Sequence, residues 1–341
     1  MLWPRLDIAT PVVRWQVQHG RQSLPWQQTR DPYRVWLSEI MLQQTQVVTV
    51  LDYYGRFLAR FPDVAALAAA PQDEVLALWS GLGYYSRARN LHRCAQQVLA
   101  QYGGVFPATA AQLAELPGIG RSTAGAIAAF CFSERVPILD ANVRRVLTRV
   151  LGFDADLAQA RNERQLWEQA QALLPTDDVA QAMPRYTQGL MDLGAMVCLP
   201  RQPHCNACPL QAQCAALRAG TPERFPVRTR RLQRRAQSWW LLLARNAEGE
   251  FWLQRRPSTG IWASLYCPPV FEDEADMAPW VDARAQHLPA FVHVLTHRDL
   301  HLHPVLVAGI QPPGEGRWCS AAQWAALGLP APVRKLLDAW N

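Results

Sequence analysis

Through the first two hundred residues apolar positions recur three and four apart, in short runs that stop at glycine or proline. This spacing predicts helices over residues 10–19, 35–61, 73–82, 87–102, 122–130, 141–151, 161–174 and 185–197. Thr10 and Pro11 open the first by a cap and an N1 proline, and Gly20 closes it. The run over 35–61 carries a polar interruption at Gln43-Gln44-Thr45, where a break is expected. No segment here alternates with period two, so the region is predicted to be all-α. After residue 224 the pattern changes. Residues 224–235 (RFPVRTRRLQRR) are basic, contain proline and show no period, which predicts a linker. A solvated charge run is the first reading of it, contact with a phosphate backbone the second. Alternating β-type runs follow at 238–244 and 251–255 across the turn 246–249, then at 292–296 and 300–308 as a second hairpin. Helices are expected after Ser320 and over 332–340. The last hundred residues therefore form a separate α+β domain.

Length agrees with two domains, because 341 residues suffice for two cores. Half the residues are hydrophobic and 18% charged, which excludes a disordered chain. No apolar run is long enough to cross a bilayer, and the start, Met1-Leu2-Trp3-Pro4-Arg5, lacks a signal-peptide pattern, so a cytoplasmic monomer without membrane partners is expected. A net charge of +6 suits a polyanionic partner. Eight cysteines in such a chain point to a metal site or buried thiols and not to a disulfide framework.

Two stretches carry candidate chemistry. Leu116-Pro117-Gly118-Ile119-Gly120 is a tight turn opening a helix, and a turn of this kind aims backbone N–H groups at an anion. Asp140 follows an apolar run and precedes another helix, whose start it would cap and whose dipole favours its ionised form. Both features also occur where nothing binds, so the choice rests on the rest of the chain. Cys198, Cys205, Cys208 and Cys214 form C-x6-C-x2-C-x5-C, dense enough to converge on one metal centre. The spacing favours an iron–sulfur cluster over zinc, which more often takes two separated C-x2-C pairs. Cys94, Cys131, Cys267 and Cys319 lie among apolar neighbours and read as core residues.

The hairpin, the Asp140 position and the cysteine spacing together resemble the helix-hairpin-helix glycosylases of the endonuclease III superfamily, over about residues 10–218. The resemblance implies a glycosylase domain over 1–224 with DNA held between two lobes. A six-helix lobe would span about 29–136, and a cluster lobe 1–28 plus 137–218. A basic linker over 225–237 would lead to a second domain at 238–341. Residues 32–46 (PYRVWLSEIMLQQTQ) and 81–87 (GLGYYSR) resemble the MutY family of adenine DNA glycosylases. Residues 252–269 (WLQRRPSTGIWASLYCPP) are similar to the Nudix-like domain that reads 8-oxoguanine in that family. Residues 270–276 lack the glutamate arrangement with which a Nudix hydrolase binds Mg²⁺, in keeping with a reading domain.

The resemblance implies a base-excision repair enzyme acting on double-stranded DNA, removing adenine opposite 8-oxoguanine or guanine, and by extension cytosine. It further implies one 4Fe–4S cluster on Cys198, Cys205, Cys208 and Cys214. Glu39 would be the acid that protonates adenine, partly shielded by Val35 and Leu42 one turn away. Asp140 would be the carboxylate beneath the sugar, with Asn142 steadying it or a water. Trp26, Leu42 and Gln188 would line the adenine pocket. Gln44, between Gln43 and Thr45, would wedge into the duplex, with Leu82 and Tyr84 near the oxidised guanine. Gly118, Gly120 and Ser122 would meet the DNA backbone. Ser122 stands where bifunctional members carry a nucleophilic lysine, so strand cleavage is not expected. Leu295-Thr296-His297 replaces the Phe-Ser-His with which the family contacts 8-oxoguanine. The alternatives are an endonuclease III-like glycosylase/lyase acting on oxidised pyrimidines and a cluster-bearing DNA-binding protein without catalysis.

Overall fold

The computed structural model describes residues 6–227, 229 and 233–340. The first five residues, and the linker arginines at 228, 230 and 231, lie outside them. Twelve α-helices precede the first strand: α1 Ala9–His19, α2 Pro32–Met41, α3 Val47–Arg60, α4 Val64–Ala69, α5 Gln72–Leu78, α6 Ser86–Tyr102, α7 Ala110–Leu113, α8 Arg121–Phe132, α9 Ala141–Leu151, α10 Ala160–Ala172, α11 Val179–Met196 and α12 Ala215–Arg218. The expected break after residue 41 is real. Gln44 takes a left-handed φ of 56°, which no helix interior accepts. Helix α11 begins six residues before the expected start and runs through Pro184. A helical proline leaves the carbonyl four residues back without its N–H. Here the Ser133 hydroxyl donates to that carbonyl, Ala180 O, at 2.9 Å.

The remaining chain gives β1 Arg235–Arg245, β2 Phe251–Arg255, β3 Tyr266–Cys267, β4 Val270–Phe271, α13 Glu274–Met277, β5 Gln286–His287, β6 Phe291–Val294, β7 Arg298–Ala308, β8 Arg317–Cys319, α14 Ala321–Ala325 and α15 Ala331–Asp338. Strands β1 and β2, and β6 and β7, pair antiparallel as the alternation predicts. The spine of the sheet is instead the parallel pairing of β1 with β7 over eleven residues, Arg235 with Arg298 through Arg245 with Ala308. Both strands bury their central residues (Leu241, Leu242 and Leu243; Leu302, Val305 and Val307), as a strand covered on both faces must.

The chain divides into two compact units. One comprises residues 1–54 and 94–231, the other residues 55–93 and 232–341. In the first, α1, α9, α10 and α11 enclose a core of Ile8, Val12, Val146, Leu166, Leu190 and Leu193. In the second, the helical segment 55–93 is bound to the strand-bearing part. Arg255 pairs with Asp73 at 3.0 Å. Tyr85 Oη donates to Leu329 O at 2.6 Å, and Arg89 Nη1 to Ala263 O at 2.7 Å. Among the described residues no helix is long and apolar enough to cross a membrane.

Candidate active site

The hairpin and the candidate carboxylate are one construction. Gly118 takes φ +78°, which only glycine adopts freely, and Ile119 N–H closes the turn on Leu116 O at 3.1 Å. Gly120 is the N-cap of α8 in extended backbone, so its freedom is not what the turn requires. Segment 136–139 then lies against α8. A Cβ on Gly125 would stand 2.6 Å from Pro137 O, and Ser122 Oγ accepts the Leu139 N–H at 3.1 Å. Asp140 is delivered from this packed segment to the start of α9, where its Oδ1 accepts the Val143 N–H at 2.7 Å. Asn142 sits at the closest approach of α9 to α11, where a Cβ on Gly194 would meet its own Cβ at 2.6 Å. Its Oδ1 accepts from Arg145 Nη2 at 2.8 Å.

Glu39, on α2, feels the Asp140 charge. Burial pushes its carboxyl up to about 8, and repulsion from Asp140 adds to the rise. Burial raises Asp140 as well, against the cap's expected effect. The Val143 and Asn142 N–H groups and the Arg145 and Arg144 guanidinium groups pull it part of the way back. Glu39 has no such compensation. Near neutrality Glu39 therefore keeps its proton.

A cleft of about 260 Å³ opens beside Glu39. Trp26, Glu39 and Gln188 border it, together with Arg21, which the sequence reading missed. Trp26 is buried and meets Tyr54 edge-on at 5.2 Å. Leu42, where the chain leaves α2, is not among the bordering residues, and neither is Asp140. Gln43 Nε2 donates to Thr123 Oγ1 at 3.4 Å, tying the α2–α3 break to α8. Gln44 is exposed and Thr45 half-buried.

In the second unit Leu82 is buried and Tyr84, with φ 48°, is exposed. Their loop is held from beneath. Arg87 Nη2 donates to Leu82 O and Gly83 O, and Trp79 Nε1 donates to Gly83 O at 3.1 Å. The Thr296 hydroxyl donates to Tyr84 Oη at 3.3 Å, and His297 is exposed beside it. Sequence positions 84 and 296 are thus brought together.

The four cysteines border one small apolar cavity with Val146, Val150 and Leu193. Burial pushes Cys208 up to about 11, and the other three sulfurs add to the rise, so all four are neighbours. Sulfurs holding one Zn²⁺ at about 2.3 Å lie within about 4 Å of one another. Among the described residues no group of three His, Cys, Asp or Glu is placed to hold a metal ion. A 4Fe–4S cluster takes one thiolate per iron, and four thiols around one cavity are that donor set. Two further residues missed from sequence secure the loop. Buried Arg149 donates to Cys198 Sγ at 3.3 Å, Leu199 O at 2.6 Å and Pro200 O at 3.0 Å. Arg145 Nε donates to Cys198 O at 2.7 Å. Their spacing of four on α9 was the available signal.

Residues 37–172 match the model of the HhH-GPD superfamily of base excision DNA repair proteins, and residues 240–339 match that of the NUDIX domain. A solved thermostable thymine-DNA glycosylase is 28% identical with TM-score 0.54, over 62% of this chain and 95% of that one. A non-covalent endonuclease III–DNA complex, at 20% identity and TM-score 0.51 over 62% and 94%, shares the fold. The chain is thus a helix-hairpin-helix protein of the base-excision class. An adenine DNA glycosylase of Buchnera aphidicola (subspecies Acyrthosiphon pisum, strain APS) is 34% identical over 96% of this chain and 95% of its own length. The human adenine DNA glycosylase is 43% identical over 60% of this chain and 38% of its own length. This chain belongs to the MutY family of adenine DNA glycosylases.

Proposed function

We propose that the protein hydrolyses the N-glycosidic bond of adenine mispaired with 8-oxoguanine, and also of adenine opposite guanine and, more weakly, cytosine, leaving the strand uncut. The observation that carries the reading is the paired carboxyls: Glu39 keeps its proton to about pH 8 beside a cleft that Trp26 and Gln188 also border. A flipped adenine enters this cleft. Glu39 gives its proton to the base, the bond from C1′ to N9 breaks, and Asp140 stabilises the sugar cation. Water adds at C1′, and the proton it releases restores Glu39. Asn142 holds the start of α9, and Ser122 offers no amine for a Schiff base. Gln44, between Gln43 and Thr45, enters the duplex, and the hairpin N–H groups at Gly118 and Gly120 meet a phosphate. Tyr84, Leu82, Thr296 and His297 read the oxidised guanine.

Cys198, Cys205, Cys208 and Cys214 would hold one 4Fe–4S cluster, which when bound supplies iron–thiolate bonds that cross-link the loop. The test is base release from duplexes holding A:8-oxoG, A:G, A:C and thymine glycol:A. Adenine release without strand scission is expected from the first. Release of thymine glycol with scission would establish the endonuclease III-like alternative. Four iron and four acid-labile sulfide per chain, with a visible absorption shoulder, would establish the cluster, and stoichiometric zinc would overturn it.

A further inference from the structure

Gln188 borders the cleft from α11, one turn before Asp192, whose side chain is fully buried. Asp192 Oδ1 accepts from Arg21 Nε at 2.6 Å and from Gln188 Nε2 at 3.0 Å, and its Oδ2 accepts the Arg21 backbone N–H at 3.0 Å. A carboxylate paired with a guanidinium only accepts hydrogen bonds, so the Gln188 atom facing it is the amide nitrogen. An unconstrained glutamine offers either end of its amide. This one has an amide N–H committed to Asp192, which fixes the orientation of the amide and turns its acceptor Oε1 away from Asp192. An acceptor there suits a base with a donor, and adenine carries an amine at the position where hypoxanthine carries an oxo group. The bond to Asp192 therefore does more than hold a side chain still.

We infer that Asp192 is a positioning residue for base selection, locking Gln188 so that its carbonyl reads the 6-amino group of the flipped base. The inference rests on the adenine-glycosylase reading of the cleft. It also accounts for Arg21, whose two bonds hold the buried carboxylate in place.

Asp192→Asn leaves one oxygen for three donors. Turning its new amine toward Gln188 makes that amide reverse and present Nε2 to the cleft. Single-turnover release is measured for adenine, purine and hypoxanthine, each opposite 8-oxoguanine. The ratio of adenine to hypoxanthine release should fall at least about tenfold, one buried hydrogen bond gained or lost. Gln188→Leu leaves the Asp192–Arg21 pair intact and should collapse the same ratio, with Asp192→Asn adding nothing further to it. Equal loss on all three bases in Asp192→Asn, or an unchanged ratio in Gln188→Leu, overturns the inference. Failure of the unaltered protein to release adenine at all defeats the underlying reading instead.

Discussion

Glu39 and Tyr84 show how differently the two units hold their working groups. In the helical unit three carboxyl groups are sunk into the protein, and each is shifted or bonded by its surroundings: Glu39 raised to about 8, Asp140 capped, Asp192 accepting three bonds. In the strand-bearing unit Tyr84, Thr296 and His297 stand exposed, and the rigidity lies under them, in Arg87 and Trp79. Burial is the largest cause of the rise at Glu39, and the Asp140 charge adds to it. A group that only has to recognise a base edge can remain in water, provided its backbone is held still.

This contrast can be broken most sharply at the carboxyls. Asp140→Asn should lower single-turnover adenine release about a thousandfold while sparing duplex affinity, since it removes a charge that acts on the sugar cation. Retained turnover would take Asp140 out of the mechanism. Glu39→Gln should cost about a hundredfold or more in the same assay. In the unaltered protein, release should fall as pH rises through about 8, where Glu39 gives up its proton. Stability follows the same sign. The folded chain keeps a proton that the unfolded chain loses near 4.5, so this group's contribution is full below that pH and is lost on rising through 8. Glu39→Gln should therefore be more stable than the parent at pH 9, by roughly 2–4 kcal/mol, and the gain should vanish at pH 4; denaturant melts at both pH values decide it. A smaller effect is expected from Gly125→Ala, whose new methyl would press on Pro137 O. It should cost about 1–3 kcal/mol in the same melts and slow base release by moving Asp140. The smallest belongs to the exposed unit. Tyr84→Phe should reduce the preference for 8-oxoguanine over guanine a few-fold, one exposed hydrogen bond's worth, without changing release from A:G duplexes. Equal loss on both partners would place Tyr84 with the buried chemistry.

Most helices were legible because their apolar spacing is plain and their ends carry glycine, proline or aspartate. The early start of α11 was not, because Pro184 reads as a stop unless one knows that Ser133, fifty-one residues earlier, bonds the stranded carbonyl. The two hairpins could be read from alternation and turn residues. The parallel pairing of β1 with β7 could not, since its partners stand more than sixty residues apart and nothing local specifies the match. At the site, Glu39 and Asp140 came from a resemblance to motifs around them, and their shifted proton affinities came only from three-dimensional burial. Arg21 and Asp192 escaped because each is ordinary alone and meaningful only as a pair 171 positions apart.

The binding of residues 55–93 to the strand-bearing part has a consequence for how the chain is made. That segment leaves the ribosome ahead of its partner by 139 residues, from 93 to 232. At bacterial or eukaryotic synthesis rates this is a wait of about ten to thirty seconds. During it, Leu76, which in the finished protein is buried against Gly328, has no partner to cover it. A trigger-factor-type holdase should therefore bind stalled chains ending before residue 232 and release those that extend past 341.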